Sequence, residues 1–409
     1  MYVTTQAELE AALVTGYEVY VSPYDVIELD SPVTVTSPCR IVGGSFRVDE
    51  GPAFVVRSSD VELRRVTIVG GRSVDGAYDQ SQKLVYALGT AAQPLYDVRV
   101  VDCRMRGSRG DNVWLEYCRR STVRDCKIER FLYSGVMIVS GDQVLVDRNS
   151  IVDAPLTAGV VNTYGIAVTD LTNTAAARST NVQVTNNHVS LIDWEGIDTH
   201  GGDALTIVGN TVLGCPRGIA LVTGNASRVV APTRCLVVGN TVDGADARRP
   251  LAFGVGLFGV SGTPASATIV GNQVLTYTAP WQYDYWARDL TYWAANSKPH
   301  VGWRSIQLAD DYLANASYPA QYSVDGNTVF IRGGVIPRGG GVATRTEIGS
   351  LDKAAAWPSR LTFVRFAKGS SPSAGNAQVA VTTGGDVRML YGTGTDAYTY
   401  FIDGAYQVP

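Results

Sequence analysis

The residues with the clearest capacity for chemistry lie in one segment near the middle of the chain, Asp193–Asp203. Its sequence, Asp-Trp-Glu-Gly-Ile-Asp-Thr-His-Gly-Gly-Asp, places several carboxylates beside an imidazole. Glycoside cleavage uses two carboxyl groups about 5–9.5 Å apart. An imidazole titrates near neutrality and can relay protons. The segment therefore predicts acid–base chemistry on a sugar.

Within this segment we interpret Glu195 and Asp198 as the acid–base pair. His200 would relay protons, and Asp193 is a further candidate catalytic residue. A second interpretation leaves these side chains solvated or bonded to a neighbouring turn, and Asp203 fits an ordinary turn residue. No spacing in the sequence is typical of metal ligands, so we predict no metal and no cofactor, although an acidic groove is a setting that suits Ca²⁺.

The strands that position this segment follow from an internal repeat. The pattern apolar-x-apolar-x-x-(Asn or Cys)-x-apolar recurs, and the interval between its markers is repeatedly 23 residues. Longer intervals are the same unit with an inserted loop. A second pattern, small-apolar-x-apolar, follows the markers, as in Gly165–Val168, Gly196–Thr199 and Gly218–Leu221. The markers are Cys103, Cys126, Asn149, Asn187, Asn210, Asn240, Asn272 and Asn327.

The repeat predicts an all-β fold, a right-handed single-stranded parallel β-helix. Its short segments of period two are typical of strands separated by turns. Units of this length cannot bury their own apolar face, so each must stack on the next, with strands paired in parallel about 4.8 Å apart. The marker asparagines would form a buried hydrogen-bonded ladder. Cys103 and Cys126 share its slot, and we prefer this structural role to a catalytic one.

The register of the repeat predicts which side chains face outward. Ile197 and Thr199 take core slots, which turns Asp198 and His200 onto one outer face, roughly 6.6 Å apart along the strand. Glu195 lies at the turn just before them. The neighbouring coils carry small residues beside Asp198 and His200, which leaves room for a sugar ring; these residues are Ala167, Thr169, Ala220 and Val222.

Aromatic and basic residues near the candidate site predict contacts with substrate. Tyr164 and Arg217 are the stacked neighbours of Glu195, and Trp194 precedes it. A long insertion after Asn272 adds four tryptophans, Trp281, Trp286, Trp293 and Trp303, whose flat faces suit sugar rings. These rings would otherwise pack the loop against the helix or a neighbouring subunit. Only Arg288 and Lys298 accompany them, which is too little charge for nucleic-acid binding.

The ends of the chain differ from its middle, and we predict four regions. Residues 1–16 form a capping segment, with a capping box at Thr5-Gln-Ala-Glu8 that starts a short helix. The parallel β-helix spans 17–335, including the aromatic-rich insertion at about 275–322. A glycine-rich linker covers 336–345, and a small antiparallel β domain covers 346–409.

Composition excludes several classes of protein. The 409 residues include 34 Lys+Arg and 38 Asp+Glu, and 45% are hydrophobic, so the chain is neither disordered nor built to grip phosphate backbones. The sequence has no apolar run long enough to form a membrane-spanning helix. No secretory signal is visible either. The six cysteines have no CxxC spacing and are interpreted as buried free thiols. A basic patch around Arg104 and Arg106 fits a solvated face or an acidic glycan.

This combination of capping helix, Asn-laddered coils and small C-terminal β domain resembles the tailspike and minor tail proteins of bacteriophages. The middle is similar to the pectate-lyase-like superfamily. The stretch Val387–Val408, preceded by Thr383-Gly-Gly-Asp386, resembles a phage receptor-binding head domain. The Asp-Asp, Gly-His-Gly and Arg-x-Lys motifs of polygalacturonases are absent, so their mechanism is not implied.

The resemblance implies a homotrimer on the phage tail that is made in the host cytoplasm and meets host surface polysaccharide. Its partners would be bacterial cell-surface glycan, copies of itself and other tail proteins, with no nucleic acid and no membrane insertion. The same fold hosts hydrolases, lyases and inert adhesins. A glycoside hydrolase-like depolymerase, a non-enzymatic adhesin and a Ca²⁺-dependent polysaccharide lyase therefore stay open as alternatives.

Overall fold

The chain divides into two units, Met1–Lys298 and Pro299–Pro409. The first holds a stack of coils and the second holds an antiparallel sheet. The computed structural model describes residues 2–71, 77–156, 162–170, 177–224, 229–259, 264–277, 279, 281–283, 289–294, 304–310, 312–314, 320–325, 328–337, 347–350, 362–369, 376–381, 386–391 and 400–407.

The first unit begins with the predicted capping helix, Gln6–Thr15. The Glu8 backbone N–H donates to the Thr5 hydroxyl and the Thr5 N–H donates to the Glu8 carboxylate, which together make the capping box. Leu9 and Leu13 face inward and join the apolar core of the stack. Within the described ranges, no helix combines the length and the apolar character needed to cross a membrane.

Each coil that follows contributes strands to three parallel sheets, which confirms the predicted right-handed parallel β-helix. The first sheet contains Glu18–Tyr20, Cys39–Val42, Val61–Arg64, Arg99–Val101, Thr122–Arg124, Leu145–Asp147, Gln183–Thr185, Thr206–Val208, Cys235–Val238, Ser266–Val270 and Asp289–Ala294. The second contains Val26–Leu29, Ser45–Val48, Thr67–Gly70, Arg104–Ser108, Lys127–Phe131, Ser150–Ala154, His188–Ile192, Thr211–Leu213, Thr241–Asp243 and Gln273–Leu275.

The third sheet carries the candidate site. It contains Val33–Val35, Phe54–Val56, Lys83–Leu88, Asp111–Glu116, Ser134–Val139, Tyr164–Thr169, Glu195–His200, Arg217–Val222, Phe253–Leu257 and Trp281–Tyr283. Two further strands, Leu95–Tyr96 and Cys118–Arg119, pair at a corner. One continuous apolar cluster fills the interior, and all six cysteines are buried free thiols, as predicted.

The buried asparagine ladder is confirmed from Asn149 to Asn272, and the predicted marker Asn327 lies outside the described residues. The Asn149 side-chain amide donates to the Asn187 oxygen at 2.9 Å, and Asn187 donates in turn to Asn210 at 3.0 Å. The chain continues from Asn210 to Asn240 at 2.9 Å and from Asn240 to Asn272 at 2.8 Å. Each amide also bonds backbone groups of a neighbouring coil, so every buried donor and acceptor at this turn finds a partner.

Asn210→Ala is expected to destabilise the β-helix by about 2–5 kcal/mol, because it leaves the Asn187 N–H and the Val184 carbonyl buried without their partner. Urea unfolding at fixed pH measures the loss. Gln183→Ala, which removes an exposed amide from the preceding coil, is the matched control and should change stability little. Equal effects of the two substitutions would contradict a stabilising ladder.

The second unit is a sheet of ten strands whose pairings are antiparallel. The antiparallel character predicted for the C-terminal strands is confirmed. The strands are Arg304–Ser305, Gln307–Leu308, Tyr312–Ala314, Gln321–Asp325, Thr328–Pro337, Glu347–Ser350, Thr362–Gly369, Asn376–Val381, Asp386–Tyr391 and Tyr400–Gln407.

The unit boundary differs from the predicted end of the β-helix at residue 335. Thr328–Pro337, predicted to be the last coil, pairs antiparallel with Tyr400–Gln407, and Gln307–Leu308 pairs with Glu347–Ser350. Strands of both kinds alternate with a period of two, so the local pattern does not reveal the direction of the partner strand. Most of the predicted linker at 336–345 lies outside the described residues.

Candidate functional site

The strand Glu195–His200 lies between Tyr164–Thr169 and Arg217–Val222 in the third sheet. Its register matches the predicted one, with Asp198 opposite Ala167 and Ala220. Ile197 and Thr199 face the core, where the Thr199 hydroxyl donates to the Val168 carbonyl at 2.9 Å. Asp198 and His200 share the outer face, as predicted.

A column of glycines allows Glu195 to reach this outer face. Gly165, Gly196 and Gly218 are the second residues of three successive strands of the third sheet, and each contacts core side chains. A Cβ on Gly196 would lie 2.4 Å from Val212 Cγ1 and 2.8 Å from the Gly218 carbonyl oxygen. The absence of a side chain at Gly196 therefore lets the backbone turn so that Glu195 joins Asp198.

Gly196→Ala is expected to destabilise the protein by about 1–3 kcal/mol, because the added methyl overpacks the core and shifts the strand. The same shift displaces the Glu195 carboxyl, so any activity of the site should fall as well. Urea unfolding and a pH titration of the site carboxyl measure the two effects. An unchanged unfolding midpoint would contradict the close packing of this column.

Glu195, Asp198 and His200 form the centre of the site. Each contributes one oxygen or nitrogen atom to a cluster in which these atoms lie within 4.8 Å of one another. His200 Nε2 is 3.1 Å from Asp198 Oδ2, which forms an ion pair when the imidazole is protonated. The sequence prediction that these three side chains converge agrees with this geometry, although their catalytic roles stay predictions.

Burial and mutual repulsion shift the titration of this cluster. Burial first, and then the nearby charge of Asp198, raise the pKa of Glu195 to about 8, although the Arg217 guanidinium opposes the shift. The negative charge of Asp198 raises the pKa of His200 to about 9, against the effect of burial. At neutral pH, Glu195 and His200 therefore both carry protons that they can donate.

Asp198 differs from the expectation that it projects into open water. Its side chain is 0% exposed, while the His200 side chain is 26% exposed. The outer face of the sheet is covered by an apolar and aromatic cluster that includes Met137, Tyr164 and Tyr133. Among the described residues, Asp198 Oδ1 accepts no hydrogen bond. His200 is therefore the most accessible member of the three, and Asp198 is the charge behind it.

The predicted neighbours of Glu195 are in place. Arg217 Nη1 donates to Glu195 Oε1 at 3.0 Å, and the guanidinium lies 3.6 Å from the centre of the Trp194 ring. Tyr164 packs edge-on to His200 with ring centres 6.2 Å apart, and its hydroxyl accepts a hydrogen bond from Asn162 Nδ2 at 2.8 Å. Together these groups form a polar and aromatic rim around the three central residues.

Asp193 is not part of the cluster. Its carboxylate accepts a hydrogen bond from Arg248 Nε at 2.7 Å and another from the Leu156 backbone N–H at 3.0 Å. Asp203 binds the Thr233 hydroxyl at 2.7 Å and also pairs with Arg234, as a turn residue would. The contacts of Asp193 are those of a residue that holds loops onto the coil stack.

The predicted tryptophan platform is only partly described. Trp281 lies in the last described strand of the third sheet, and Trp293 lies in the last strand of the first sheet. Trp286 and Trp303 lie outside the described residues. Tyr277, from the same insertion, is buried, and its hydroxyl donates to the Cys215 carbonyl at 2.6 Å, which is a packing role.

Sequence reasoning missed a second polar cluster on the same sheet. Asp111 is fully buried, its carboxylate accepts a hydrogen bond from Ser134, and burial raises its pKa to about 6. Lys83 Nζ lies 3.9 Å from Asp111 and 4.6 Å from the Trp114 ring centre. Lys83, Asp111 and Ser134 each begin their strand, as Glu195 does. The sequence position just before the small residue of the second repeat pattern was therefore the signal that could have identified these three residues.

The three central residues also have a spacing that a cation could bridge. However, Glu195 is bonded to Arg217, and the proton that Asp198 favours on His200 occupies the atom that would bind a metal. A cation would have to displace both. The groups present therefore suit acid–base chemistry, and metal binding would reorganise them.

Comparisons with known proteins agree on the fold. Residues 51–242 match the family model described as "Right handed beta helix region". The A-module of mannuronan C-5 epimerase AlgE4 from Azotobacter vinelandii is 14% identical, with a TM-score of 0.54 over 72% of this chain and 91% of that one. PfbA, a surface adhesin of Streptococcus pneumoniae, is 10% identical, with a TM-score of 0.50 over 78% and 92%.

A phage protein is also among the similar structures. The enzymatically active domain of tailspike protein 2 from bacteriophage CBA120 is 10% identical, with a TM-score of 0.48 over 98% of this chain and 67% of that one. No curated protein matches the sequence significantly. At 14% and 10% identity, the epimerase module and PfbA show the fold alone, which is an all-β, right-handed parallel β-helix.

Proposed function

We propose that this protein binds a cell-surface polysaccharide on the outer face of the third sheet and cleaves it by acid–base catalysis. The observation that carries the proposal is the convergence of Glu195 and His200 on the buried carboxylate of Asp198, where burial and charge raise the pKa of both groups. A carboxyl group with its pKa raised to about 8 is suited to donate a proton to a leaving oxygen.

In the proposed reaction, Glu195 protonates the glycosidic oxygen as the bond from that oxygen to the anomeric carbon breaks. Asp198, buried behind the imidazole, keeps His200 charged beside the sugar. Water then adds to the anomeric carbon and returns a proton to the Glu195 carboxylate. Arg217 and Tyr164 orient the sugar beside these groups.

A non-enzymatic adhesin is the second candidate. It is favoured by the complete burial of Asp198, because a carboxylate with no exposed oxygen cannot itself attack a sugar. In that case the polar rim binds glycan without turnover. Both candidates share the glycan, and they differ only in whether the bond breaks.

New reducing ends separate the two candidates. The protein is incubated with host envelope polysaccharide, and reducing ends and glycan binding are measured together. Release of reducing ends that is lost in the double variant Glu195→Gln with Asp198→Asn supports cleavage at this site. Binding without release supports the adhesin. An unsaturated product that disappears with a chelator would replace the hydrolase with a metal-dependent lyase.

The proposal extends to the biological setting. A capping helix, a coil stack and a separate antiparallel unit suit a homotrimeric tail spike on a phage virion that contacts host surface glycan and other tail proteins. Such a protein is made in the host cytoplasm and acts at the host cell surface. Light scattering tests the trimer, and a monomer at micromolar concentration would contradict it.

A further inference from the structure

A second concave surface lies on the second sheet, apart from the three central residues. It is a cavity of about 470 Å³, within the range of small-molecule sites. Arg106, Glu129 and Val152 stand at one register position on successive coils and face outward. The next-to-last residue of each strand forms a corner in the backbone and supplies the rest of the lining, Arg130, Asp153 and Leu191.

The charged groups of this cavity are not all paired. Glu129 is paired with Lys127 at 2.8 Å. Asp153 is paired with Arg248 at 2.8 Å, and Arg248 also pairs with Asp193. Arg130 Nε is 4.0 Å from Asp153, at the limit of an ion pair. Among the described residues, no carboxylate forms an ion pair with Arg106, so the cavity presents at least one guanidinium group whose charge is not neutralised.

The corner residues occupy a backbone conformation that normally favours glycine. Arg130, Asp153 and Leu191 have φ angles of 52°, 72° and 55°, while Gly107 and Gly214 take the equivalent corner on the flanking coils. A residue other than glycine costs free energy in this backbone conformation, because its Cβ crowds the neighbouring backbone. Such residues are present on three of the four coils that line the cavity, whereas glycine takes this position on the coil of Arg106 and on the coil that follows Leu191.

We propose that this cavity binds a sugar that carries an oxyanion, either the carboxylate of a uronic acid or a phosphate substituent. Arg106 and Arg130 bind the anion through their planar guanidinium groups. The apolar side chains of Val152 and Leu191 contact the sugar ring. The inference extends the proposed glycan binding to a second site and does not require cleavage at Glu195.

Calorimetric titration of the Glu195→Gln protein, which would leave oligosaccharides intact, tests the site. The probes are a uronic-acid disaccharide, a sugar phosphate and a neutral disaccharide of the same size. We expect at least tenfold tighter binding of one or both anionic probes than of the neutral one, with affinity falling as salt rises. The stronger anionic probe identifies the oxyanion.

Three variants locate the binding. Arg106→Ala with Arg130→Gly should weaken the anionic probe at least tenfold, and glycine suits the corner conformation of residue 130. Arg104→Ala removes another exposed cation from the same strand, outside the cavity, and should leave the affinity unchanged. Glu129→Gln should tighten binding, because it removes a negative charge from the lining.

Equal binding of the neutral probe, no binding of any probe, or unchanged affinity in the double variant would overturn the site. These outcomes are separate from failure of the proposed cleavage, because the Glu195→Gln protein lacks the proton donor while its second sheet is unaltered. A protein that binds anionic sugars here but releases no reducing ends would support this inference and favour the adhesin.

Discussion

Glu195→Gln is expected to lower the rate of glycan cleavage by about 10²–10⁴-fold, the usual contribution of a positioned general acid. The amide cannot donate the proton that the leaving oxygen needs. Its oxygen can still accept the hydrogen bond from Arg217, so the fold and the binding of glycan should survive. Initial rates of reducing-end release, measured over a range of glycan concentration, should show a loss in kcat with little change in KM.

The pH profile supplies an independent check on the same residue. Because the pKa of Glu195 is raised to about 8, wild-type activity should fall as pH rises through that value and the acid loses its proton. Glu28→Gln, which alters an exposed carboxylate paired with Arg47, is the matched control and should leave the rate unchanged. A wild-type profile that is flat between pH 6 and pH 10 would remove Glu195 as the acid.

Asp198→Asn is expected to lower the pKa of His200 from about 9 toward its ordinary value of 6.5. The charge of Asp198 is the largest cause of the raised pKa, and without it burial, which favours the neutral imidazole, opposes the smaller effects of Glu195 and Thr223. Nuclear magnetic resonance titration can follow the change because the chain has only three histidines. His188, which is exposed, serves as the internal reference.

The same substitution should alter how stability depends on pH. Glu195 and His200 both have folded pKa values above their ordinary values of 4.5 and 6.5, so the folded state binds more protons than the unfolded state. Their stabilising contribution is fully present below the ordinary values and is lost as pH rises through about 8 and about 9. Wild-type stability should therefore decrease from pH 7 to pH 9.

In Asp198→Asn this decrease should be shallower, because His200 no longer binds an extra proton in the folded state. Each proton accounts for a slope of about 1.4 kcal/mol per pH unit, which urea unfolding at several pH values resolves. Parallel pH dependences for wild type and variant, together with an unchanged His200 titration, would contradict the ion pair as the source of the raised pKa.

The asparagine markers show why the fold could be predicted. Asn187 and Asn210 recur at the interval of one coil, and the buried amide at each turn is satisfied by groups on the neighbouring coils. The periodicity of the sequence was therefore sufficient to predict the parallel β-helix and the outward direction of Asp198 and His200. The boundary between the units could not be predicted in the same way. Thr328–Pro337 alternates like any strand, and this alternation does not reveal that its partners, Gln321–Asp325 and Tyr400–Gln407, are antiparallel.

The repeat alone was enough to establish the coil, its ladder and the face on which the acidic residues stand, because each of these depends on neighbours at a constant interval. Only the tertiary structure determined how deeply Asp198 is buried, how far the pKa of Glu195 is raised, and that Asp193 contacts Arg248 and lies outside the cluster. Burial and pKa depend on residues from other coils and inserted loops, such as Tyr133, Arg217 and Arg248. Their distances from the site follow from packing in three dimensions, which no local pattern encodes.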